Sequence, residues 1–238
     1  MSQFKKYIAC RVRDSIDLVS YFFDYYSDFD GFFFFDDHST DGTRSALERN
    51  AKTLLVIDDG MDKWSENSWR RQCDHRNAIC DKALSQIKDE DFLFLLDIDE
   101  YMVFDDSCMK DRSCIKLSLY DFVITEDDTD EPFYNREWVS TVKRDIVFGC
   151  RKRNWMKVES HRTIKTKGLK SSDSSICGKV KHYGRARSVE RFDNKCDYYS
   201  SYTNYRPYVK KWSARKGNAV VTHDMLSTQD YCKWSDLP

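Results

Sequence analysis

The stretch that decides the fold is Phe92-Leu93-Phe94-Leu95-Leu96-Asp97-Ile98-Asp99-Glu100-Tyr101. Five large apolar residues in a row predict a strand that is buried on both faces. The three carboxylates that follow would then lie at the C-terminal end of that strand, where open α/β sheets bind their ligands. Because carboxylates this close together repel one another, they predict a divalent cation as their partner.

Three further strands and three helices are predicted before this stretch. The strands are Lys6–Val12, Phe32–Phe35 and Thr53–Ile57, and the helices are residues 16–26, 44–52 and 74–87. Strands that alternate with helices in this way indicate an α/β fold with a mostly parallel, Rossmann-like central sheet flanked by helices. After about residue 105 the periodicity weakens. We therefore expect one domain over residues 1–238, with a regular half (1–104) and a less regular half (105–238).

The charge and the composition of the chain limit the kinds of function that it can have. The 238 residues are 40% hydrophobic, enough for the core of one large domain. A net charge of -1, from 39 basic and 40 acidic residues, predicts no nucleic-acid partner. Basic residues are dense from Lys143 to Lys181, and acids cluster from Asp89 to Asp111. This pattern suits a polyanionic ligand such as a nucleotide diphosphate, or a solvated charged surface.

Three features of the sequence bear on the cellular compartment of the protein. No apolar run exceeds five residues, so we expect no transmembrane segment. The N-terminal stretch has no apolar segment and predicts no signal peptide. The nine cysteines are scattered without a C-x-x-C pair, which is typical of reduced thiols. We expect a cytoplasmic protein in a reducing compartment.

The segment Asp36-Asp37-His38-Ser39-Thr40-Asp41-Gly42-Thr43 follows the second predicted strand. Its acids have the spacing of a calcium-binding EF-hand loop, but a strand precedes it where that motif needs a helix. The sequence favours a strand end whose acids and backbone amides hold a base and a ribose. Gly42 relaxes the turn, and Ser39 or Thr40 is expected to cap the next helix.

Asp97-Ile98-Asp99 allows two functional interpretations besides a structural strand end. One is a metal site that holds a nucleotide diphosphate. The other is a phosphohydrolase of the haloacid dehalogenase type, in which Asp97 would be the nucleophile. The position of the motif on the fourth predicted strand, followed by Tyr101, is unusual for the second class.

The order of the motifs resembles a family 2-type glycosyltransferase of the GT-A fold. That resemblance is carried by a strand ending in DDHSTDGT, then Arg76-Asn77-Ala78 on a helix, then a strand ending in DIDEY. It covers roughly residues 6–104 and returns at His182–Lys195, HYGRARSVERFDNK. This last segment is similar to the H-Y-x-x-R-S-x-E-x-F-x-x-K segment of the branch whose D-x-D motif is extended to D-x-D-E-[FY].

The resemblance implies an enzyme that moves a sugar from a nucleotide-diphosphate donor, first of all a UDP-sugar, to a hydroxyl of a glycan or glycoconjugate. Residues 1–104 would bind the donor, and residues 105–238 the acceptor. The implied donor-binding residues are Val12, Arg13, Asp36, Asp37, Arg76, Asp97 and Ile98. Asp99 and His182 would hold Mn²⁺ or Mg²⁺, with His223 as a second candidate histidine.

Inversion at the anomeric carbon would need a carboxylate that takes the proton of the acceptor hydroxyl. Glu159 is the first candidate and Asp121 the second, while Glu126-Asp127-Asp128 also qualify by their chemistry. The second half lacks a clear E-D motif of the family, so an inverting mechanism is expected only from the resemblance. A phosphohydrolase and a non-catalytic nucleotide- or carbohydrate-binding module remain the alternative functions.

Overall fold

The structure is a computed structural model that describes residues 4–58, 60, 68–159, 163–200 and 206–237, so the first three residues of the chain lie outside it. The strands are β1 (Lys6–Val12), β2 (Gly31–Asp36), β3 (Thr53–Ile57), β4 (Phe92–Asp97), β5 (Glu100–Phe104), β6 (Cys114–Phe122), β7 (Ile124–Thr125), β8 (Trp138–Arg151), β9 (Trp155–Val158), β10 (Ile164–Thr166), β11 (Ile176–His182), β12 (Val220–Val221) and β13 (Tyr231–Lys233). The α-helices are α1 (Ile16–Tyr25), α2 (Thr43–Glu48), α3 (Ser68–Gln86), α4 (Val189–Ser200), α5 (Arg206–Ser213) and α6 (His223–Leu226).

The predicted α/β fold is confirmed, and the mostly parallel sheet is corrected to a mixed one. The main sheet has the strand order β3-β2-β1-β4-β8-β6-β11-β5, and β13 pairs with β8. β1 is parallel to β2 and β4, and β2 is parallel to β3. β8, however, is antiparallel to both β4 and β13. Between β4 and α4 no described α-helix separates the strands, and antiparallel neighbours do not need a crossover helix.

The start of α2 differs from the expectation that Ser39 or Thr40 caps this helix. Gly42 is the N-cap residue, with a left-handed φ of 90°. Because glycine has no side chain, no side-chain hydrogen bond from the N-cap residue caps this helix. Instead Asp41 accepts hydrogen bonds at Oδ1 from the backbone N–H of Thr43, at 3.0 Å, and from the Thr43 hydroxyl, at 2.5 Å. An aspartate carboxylate bonded to the backbone two residues on is a local turn that competes with a helix cap.

The chain divides into two compact units that interleave in sequence. The first unit is residues 1–117 and 145–178, and the second is residues 118–144 and 179–238. β6, β8 and β11 contribute residues to both units. A single domain with halves 1–104 and 105–238 stays a prediction.

The core of the first unit surrounds β1, β2 and β4. The four phenylalanines of β2, Phe32 to Phe35, are at most 2% exposed. Each buried side chain of this size stabilises the fold by roughly 1.5–3 kcal/mol. Gly149 of β8 packs against Phe94 of β4 so closely that a Cβ at this position would lie 2.5 Å from the phenylalanine ring. A side chain at position 149 would therefore crowd Phe94 where β8 pairs with β4.

The nine cysteines all lie in the described part of the chain, and all are free thiols. Six of them are buried. Burial raises the pKa of the Cys10 and Cys80 thiols, which keeps them protonated and unreactive. Among the described helices, none has the length and apolar character that crossing a bilayer requires.

Candidate functional site

The candidate site lies in the first unit, at the carboxyl ends of the parallel strands. The chain adds β2 and β3 on one side of β1 and β4 on the other, so the strand order reverses between β1 and β4. Register pairs Arg11 of β1 with Asp97 of β4, and Val12 of β1 with Asp36 of β2. Open α/β sheets bind their ligands in the crevice at such a switch point. The structure thus brings the ends of three strands with predicted donor-binding residues to one edge.

Arg76 and Asp97 form a buried ion pair at this edge. Arg76 lies on α3, and its Nη2 donates to Oδ1 of Asp97 at 2.6 Å. The Arg76 side chain is only 2% exposed, whereas that of Asp97 is 21% exposed. A small cleft beside the pair is lined by Arg76, Leu95, Leu96, Asp97, Ile146, Val147 and Phe148. The pair therefore presents a partly accessible carboxylate whose position is fixed by a buried guanidinium.

Asp37 is the second buried carboxylate of the site. Its side chain is 1% exposed and forms an ion pair with the guanidinium of Arg11. Arg13 and Arg71 lie 3.8 Å and 4.0 Å from its oxygens, and His75 lies 3.7 Å away. Cations therefore outnumber the carboxylate here, and such an excess suits an anionic ligand.

Three members of this cluster, Arg11, Arg71 and His75, are absent from the sequence prediction. The ring of His75 stacks on Phe35, with centroids 3.9 Å apart, and its Nε2 lies 3.1 Å from Nε of Arg71. Arg71 and His75 are four residues apart on α3, and that helical spacing is the signal that could have placed them together. Arg11 lies at the end of β1, and its partner Asp37 is 26 positions away in the sequence.

Asp36 holds the turn after β2. Its Oδ1 accepts hydrogen bonds from the backbone N–H of Ser39, at 3.2 Å, and from the Ser39 hydroxyl, at 2.5 Å. Burial raises the pKa of Asp36, and the bonds from Ser39 only partly oppose that effect. The same loop is tied to the start of α1, because Asp14 donates its backbone N–H to the Ser39 hydroxyl, and Ser15 donates its own to the Thr43 hydroxyl.

The turn Asp97-Ile98-Asp99-Glu100 is held by the carboxylate of Glu100 and by Tyr26, the residue that follows α1. The backbone N–H of Asp97 donates to Oε2 of Glu100 at 2.9 Å, and Glu100 is completely buried. The hydroxyl of Tyr26 donates to the Glu100 carbonyl and accepts from the N–H of Met102. Ile98 and Asp99 at the tip are 4% and 7% exposed. Glu100 therefore shapes the turn that carries Asp97 and Asp99.

The chemistry of this turn fits a hard cation. Among the described residues no group of three or more histidine, cysteine, aspartate or glutamate side chains is arranged to hold a metal ion. Mg²⁺ and similar ions in nucleotide sites use one or two carboxylates together with water and phosphate oxygens. Because Asp97 is bonded to Arg76, Asp99 is the carboxylate of this turn that would hold Mn²⁺ or Mg²⁺.

Glu159 also belongs to the first unit and follows β9. Its carboxylate is 43% exposed and lies 3.2 Å from Nζ of Lys165. The backbone just before it is held by Asn77 of α3, whose side-chain amide exchanges two hydrogen bonds with the N–H and C=O of Val158, at 2.8 Å and 2.9 Å. The asparagine of the predicted Arg76-Asn77 motif thus positions the segment that carries Glu159.

Asp121 and His182, for which the sequence predicted separate roles, form a hydrogen-bonded pair in the second unit. Arg144 donates to the same oxygen of Asp121 at 2.8 Å. Burial raises the pKa of Asp121, but the hydrogen bond to His182 and the charges of His182 and Arg144 hold it well below the usual range. A carboxylate with a lowered pKa is a weaker general base, so this pairing disfavours Asp121 as a base acting alone.

His223, the other candidate histidine, is held by different acids of the second unit. Its Nδ1 lies 3.1 Å from Glu126, and its Nε2 lies 2.9 Å from Asp127. The hydrogen bond to Asp127 raises the pKa of His223. Both ring nitrogens contact acids on the surface, and this arrangement accounts for His223 without a ligand.

No model of a known protein family matches the chain, and no curated protein matches it. The likeness to GT-A glycosyltransferases therefore remains a resemblance carried by the motifs themselves.

Proposed function

We propose that the protein is a metal-dependent glycosyltransferase that moves a sugar from a nucleotide-diphosphate donor to a hydroxyl of a glycan or glycoconjugate. One observation carries the proposal: the Arg76–Asp97 pair lies at the switch point of the parallel strands, at the edge where Asp37 and its cations also lie. This edge offers positive charge for a diphosphate and a fixed carboxylate for a ribose hydroxyl.

The residues at this edge would act on the leaving group. Cleavage of the sugar–phosphate bond leaves negative charge on the diphosphate, and fixed cations stabilise that charge without reorganising. Arg13, 30% exposed, is the accessible cation of the cluster, and Arg76 keeps Asp97 in place. A bound Mn²⁺ or Mg²⁺ at Asp99 would supply further charge neutralisation. His182 as a second metal ligand stays a prediction.

The proton of the acceptor hydroxyl needs a base. Glu159 remains the first candidate, because its carboxylate is accessible and its backbone is held by Asn77 through Val158. Asp121 is the second candidate, and its bond to His182 means that it would act as part of a pair. An inverting reaction is proposed on the resemblance.

The proposal is tested by the release of free nucleoside diphosphate from UDP-, GDP- and dTDP-sugars, with Mn²⁺ or with EDTA. We expect one donor to be turned over with Mn²⁺ and none with EDTA. Release of inorganic phosphate from a sugar phosphate would identify a phosphohydrolase instead. Donor binding without turnover, with acceptors supplied, would identify a binding module.

Substitution of Asp99 tests the metal site directly. Asp99→Asn should lower metal-dependent nucleotide affinity by about tenfold or more, because a neutral amide replaces a charged oxygen ligand. Asp74→Asn removes the same charge from an exposed position of α3 and is the matched control. Equal nucleotide affinity in the two variants, measured by calorimetry with Mn²⁺, would refute the assignment of Asp99.

A further inference from the structure

Two cysteines that are distant in the sequence lie side by side at the surface of the first unit. Cys108 belongs to a short 3₁₀-helix, Asp106–Met109, and Cys177 is the second residue of β11. The Sγ atom of Cys108 lies 3.9 Å from the carbonyl oxygen of Cys177, although 69 positions separate the two residues. Both cysteines are half-buried, and exposed residues, 105–107 and 174–176, precede them. The pair is therefore within reach of small molecules in solution.

Close backbone packing brings together the two segments that carry these cysteines. β5 lies at the edge of the main sheet and pairs with β11, and the 3₁₀-helix that contains Cys108 follows β5 in the chain. Gly178 comes directly after Cys177, and a Cβ at this position would lie 2.7 Å from Cβ of Phe104, the last residue of β5. The two strands therefore approach each other most closely next to Cys177 and just before the segment with Cys108.

The guanidinium group of Arg112 borders the thiol of Cys177. Its Nη1 donates to the carbonyl oxygen of Ser175 at 2.8 Å, and Sγ of Cys177 lies 4.0 Å from that same oxygen. Burial raises the pKa of the Cys177 thiol, the charge of Arg112 partly opposes this effect, and a hydrogen bond with the thiol of Cys108 adds to the rise. Cys177 is therefore protonated at neutral pH, and a protonated thiol is a poor nucleophile.

Cys114 and Cys150 form a second pair of neighbouring thiols in the first unit, but this pair is inaccessible. The two residues lie on the adjacent strands β6 and β8, and both are completely buried. Burial raises the pKa of the Cys150 thiol, and a hydrogen bond with the thiol of Cys114 raises it further. A dissolved oxidant cannot reach these thiols in the folded protein, so they serve as an internal control for the accessible pair.

We propose that Cys108 and Cys177 are a site of reversible oxidation, at which a disulfide joins β11 to the segment that follows β5. The oxidant is a low-molecular-weight disulfide such as oxidised glutathione. The thiolate of Cys108 attacks one sulfur of the oxidant and releases one molecule of glutathione, and the thiolate of Cys177 then attacks Sγ of Cys108 and releases the second. The two protein thiols lose two electrons and two protons, which the oxidant takes up as it becomes two thiols. The site shares no residue with the proposed donor site.

Oxidation of the folded full chain tests the site. The protein is incubated with oxidised glutathione, the remaining thiols are blocked with N-ethylmaleimide, and the disulfide-linked peptides are identified by mass spectrometry without reduction. We expect a linked pair of peptides that contain Cys108 and Cys177, and we expect dithiothreitol to separate them. The oxidised protein should melt about 5 °C or more above the reduced protein, because the cross-link closes a long loop of the chain.

Serine variants test the order of the two attacks. Cys177→Ser should stop at a stable mixed disulfide between Cys108 and glutathione, because the second thiol is missing. Cys108→Ser should react with glutathione at position 177 about tenfold more slowly than Cys177→Ser reacts at position 108, because the Cys177 thiol is protonated. Cys232→Ser is the matched control: it replaces a half-buried cysteine of the second unit, and it should keep both the internal disulfide and the rise in melting temperature.

Three results would overturn the site. They are glutathione adducts on Cys108 or Cys177 of the wild type without an internal disulfide, a Cys114–Cys150 disulfide that forms as fast as the proposed one, and loss of the proposed disulfide in Cys232→Ser. The first two are measured on the wild-type chain, so they stand even if a serine variant does not fold. None of the three depends on turnover of a nucleotide sugar, so a failure of the donor proposal would be seen separately, in the release of nucleoside diphosphate.

Discussion

Asp36 and Asp37 are neighbours in the chain, but their carboxylates have different surroundings. Asp37 is paired with Arg11 and lies close to Arg13 and Arg71. Asp36 has hydrogen bonds from Ser39 but lies in a buried position that raises its pKa. The free energy that it costs to bury a carboxylate depends on whether a cation is paired with it.

The first prediction concerns the stability of Asp36→Asn. A carboxyl group whose pKa is raised by folding stabilises the fold only where it is protonated, and this contribution is lost as the pH rises through the folded pKa. At neutral pH the ionised Asp36 therefore lowers the free energy of unfolding. Asp36→Asn keeps an oxygen acceptor for Ser39, so it should be more stable than the wild type at pH 7. Below about pH 4 the difference should disappear.

Urea unfolding at several pH values measures this difference. Ser39→Ala is the control, because it removes a bond to the carboxylate without removing the charge, and it should destabilise the protein. An Asp36→Asn variant that is less stable than the wild type at pH 7 would show that the bonds from Ser39 outweigh the burial of the charge.

A second prediction concerns the Arg76–Asp97 pair. Arg76→Met should cost about 2–4 kcal/mol, toward the low end for breaking a buried pair, because Asp97 retains some contact with water. Asp97→Ala should cost more, since it leaves a guanidinium that is 2% exposed and cannot lose its charge. The double variant should cost less than the sum of the two. Additive costs in chemical unfolding would mean that the two side chains do not interact energetically.

At the scale of elements, the contact between β4 and β8 depends on a glycine. Gly149→Ala would place a methyl group 2.5 Å from the Phe94 ring. Because both residues lie in paired strands, we expect a loss of about 1–3 kcal/mol, as for other overpacked cores. Gly31→Ala is the matched control: its Cβ would meet Leu54 at 2.6 Å, but that side chain is 46% exposed and can turn away.

Thermal unfolding measures this difference as the melting temperatures of Gly31→Ala and Gly149→Ala. Phe94→Leu should reduce the cost of Gly149→Ala, since it removes the ring that the new methyl group meets. Equal melting temperatures for Gly31→Ala and Gly149→Ala would contradict the argument from close packing.

The same elements show what could be predicted from the sequence. β1 and β3 have the predicted boundaries, because each contains a short apolar run between polar residues, positions 7–10 in β1 and 54–57 in β3. β8 lies in the part of the chain after residue 105 where the periodicity weakens: it runs from Trp138 to Arg151, and residues 141–145 within it are exposed. A stretch of exposed polar residues shows no periodic pattern of apolar side chains, so the local sequence does not predict a strand here. The strand forms because this segment pairs with strands that are distant in the sequence.

The sequence indicated some residues of the candidate site but not the contacts between them. Asp97, Asp37 and Arg76 belong to motifs that adjoin strands or lie on a helix, and the structure brings all three to one edge. The cations around Asp37 come from β1 and α3, which are far apart in sequence, and only the packing of α3 on the sheet places them together. The pairing of Asp121 with His182 joins residues 61 positions apart, and nothing in the local sequence signals it.

For the whole molecule, the proposed function predicts stabilisation by ligand. A ligand that binds only the folded state at a hundred times its dissociation constant adds about 2.7 kcal/mol to the free energy of unfolding. We expect UDP with Mn²⁺ to raise the melting temperature, and EDTA to remove most of that increase. Hydrogen exchange should show the added protection at the carboxyl ends of β1, β2 and β4. Protection confined to the second unit would contradict the proposed donor site.

The loops that follow β1 and β2 are joined by side chains rather than by backbone pairing alone. Asp14 accepts from the N–H of Thr40 at 2.7 Å, Asp41 accepts from the N–H of Ile16 at 3.1 Å, and Ser15 donates its N–H to the hydroxyl of Thr43. This mutual bonding has an evolutionary consequence. A substitution in one loop changes the selection that acts on the other, so residues 14–16 and 39–43 should be inherited as one co-varying block, and functional variants combined from diverged homologues should exchange both loops together.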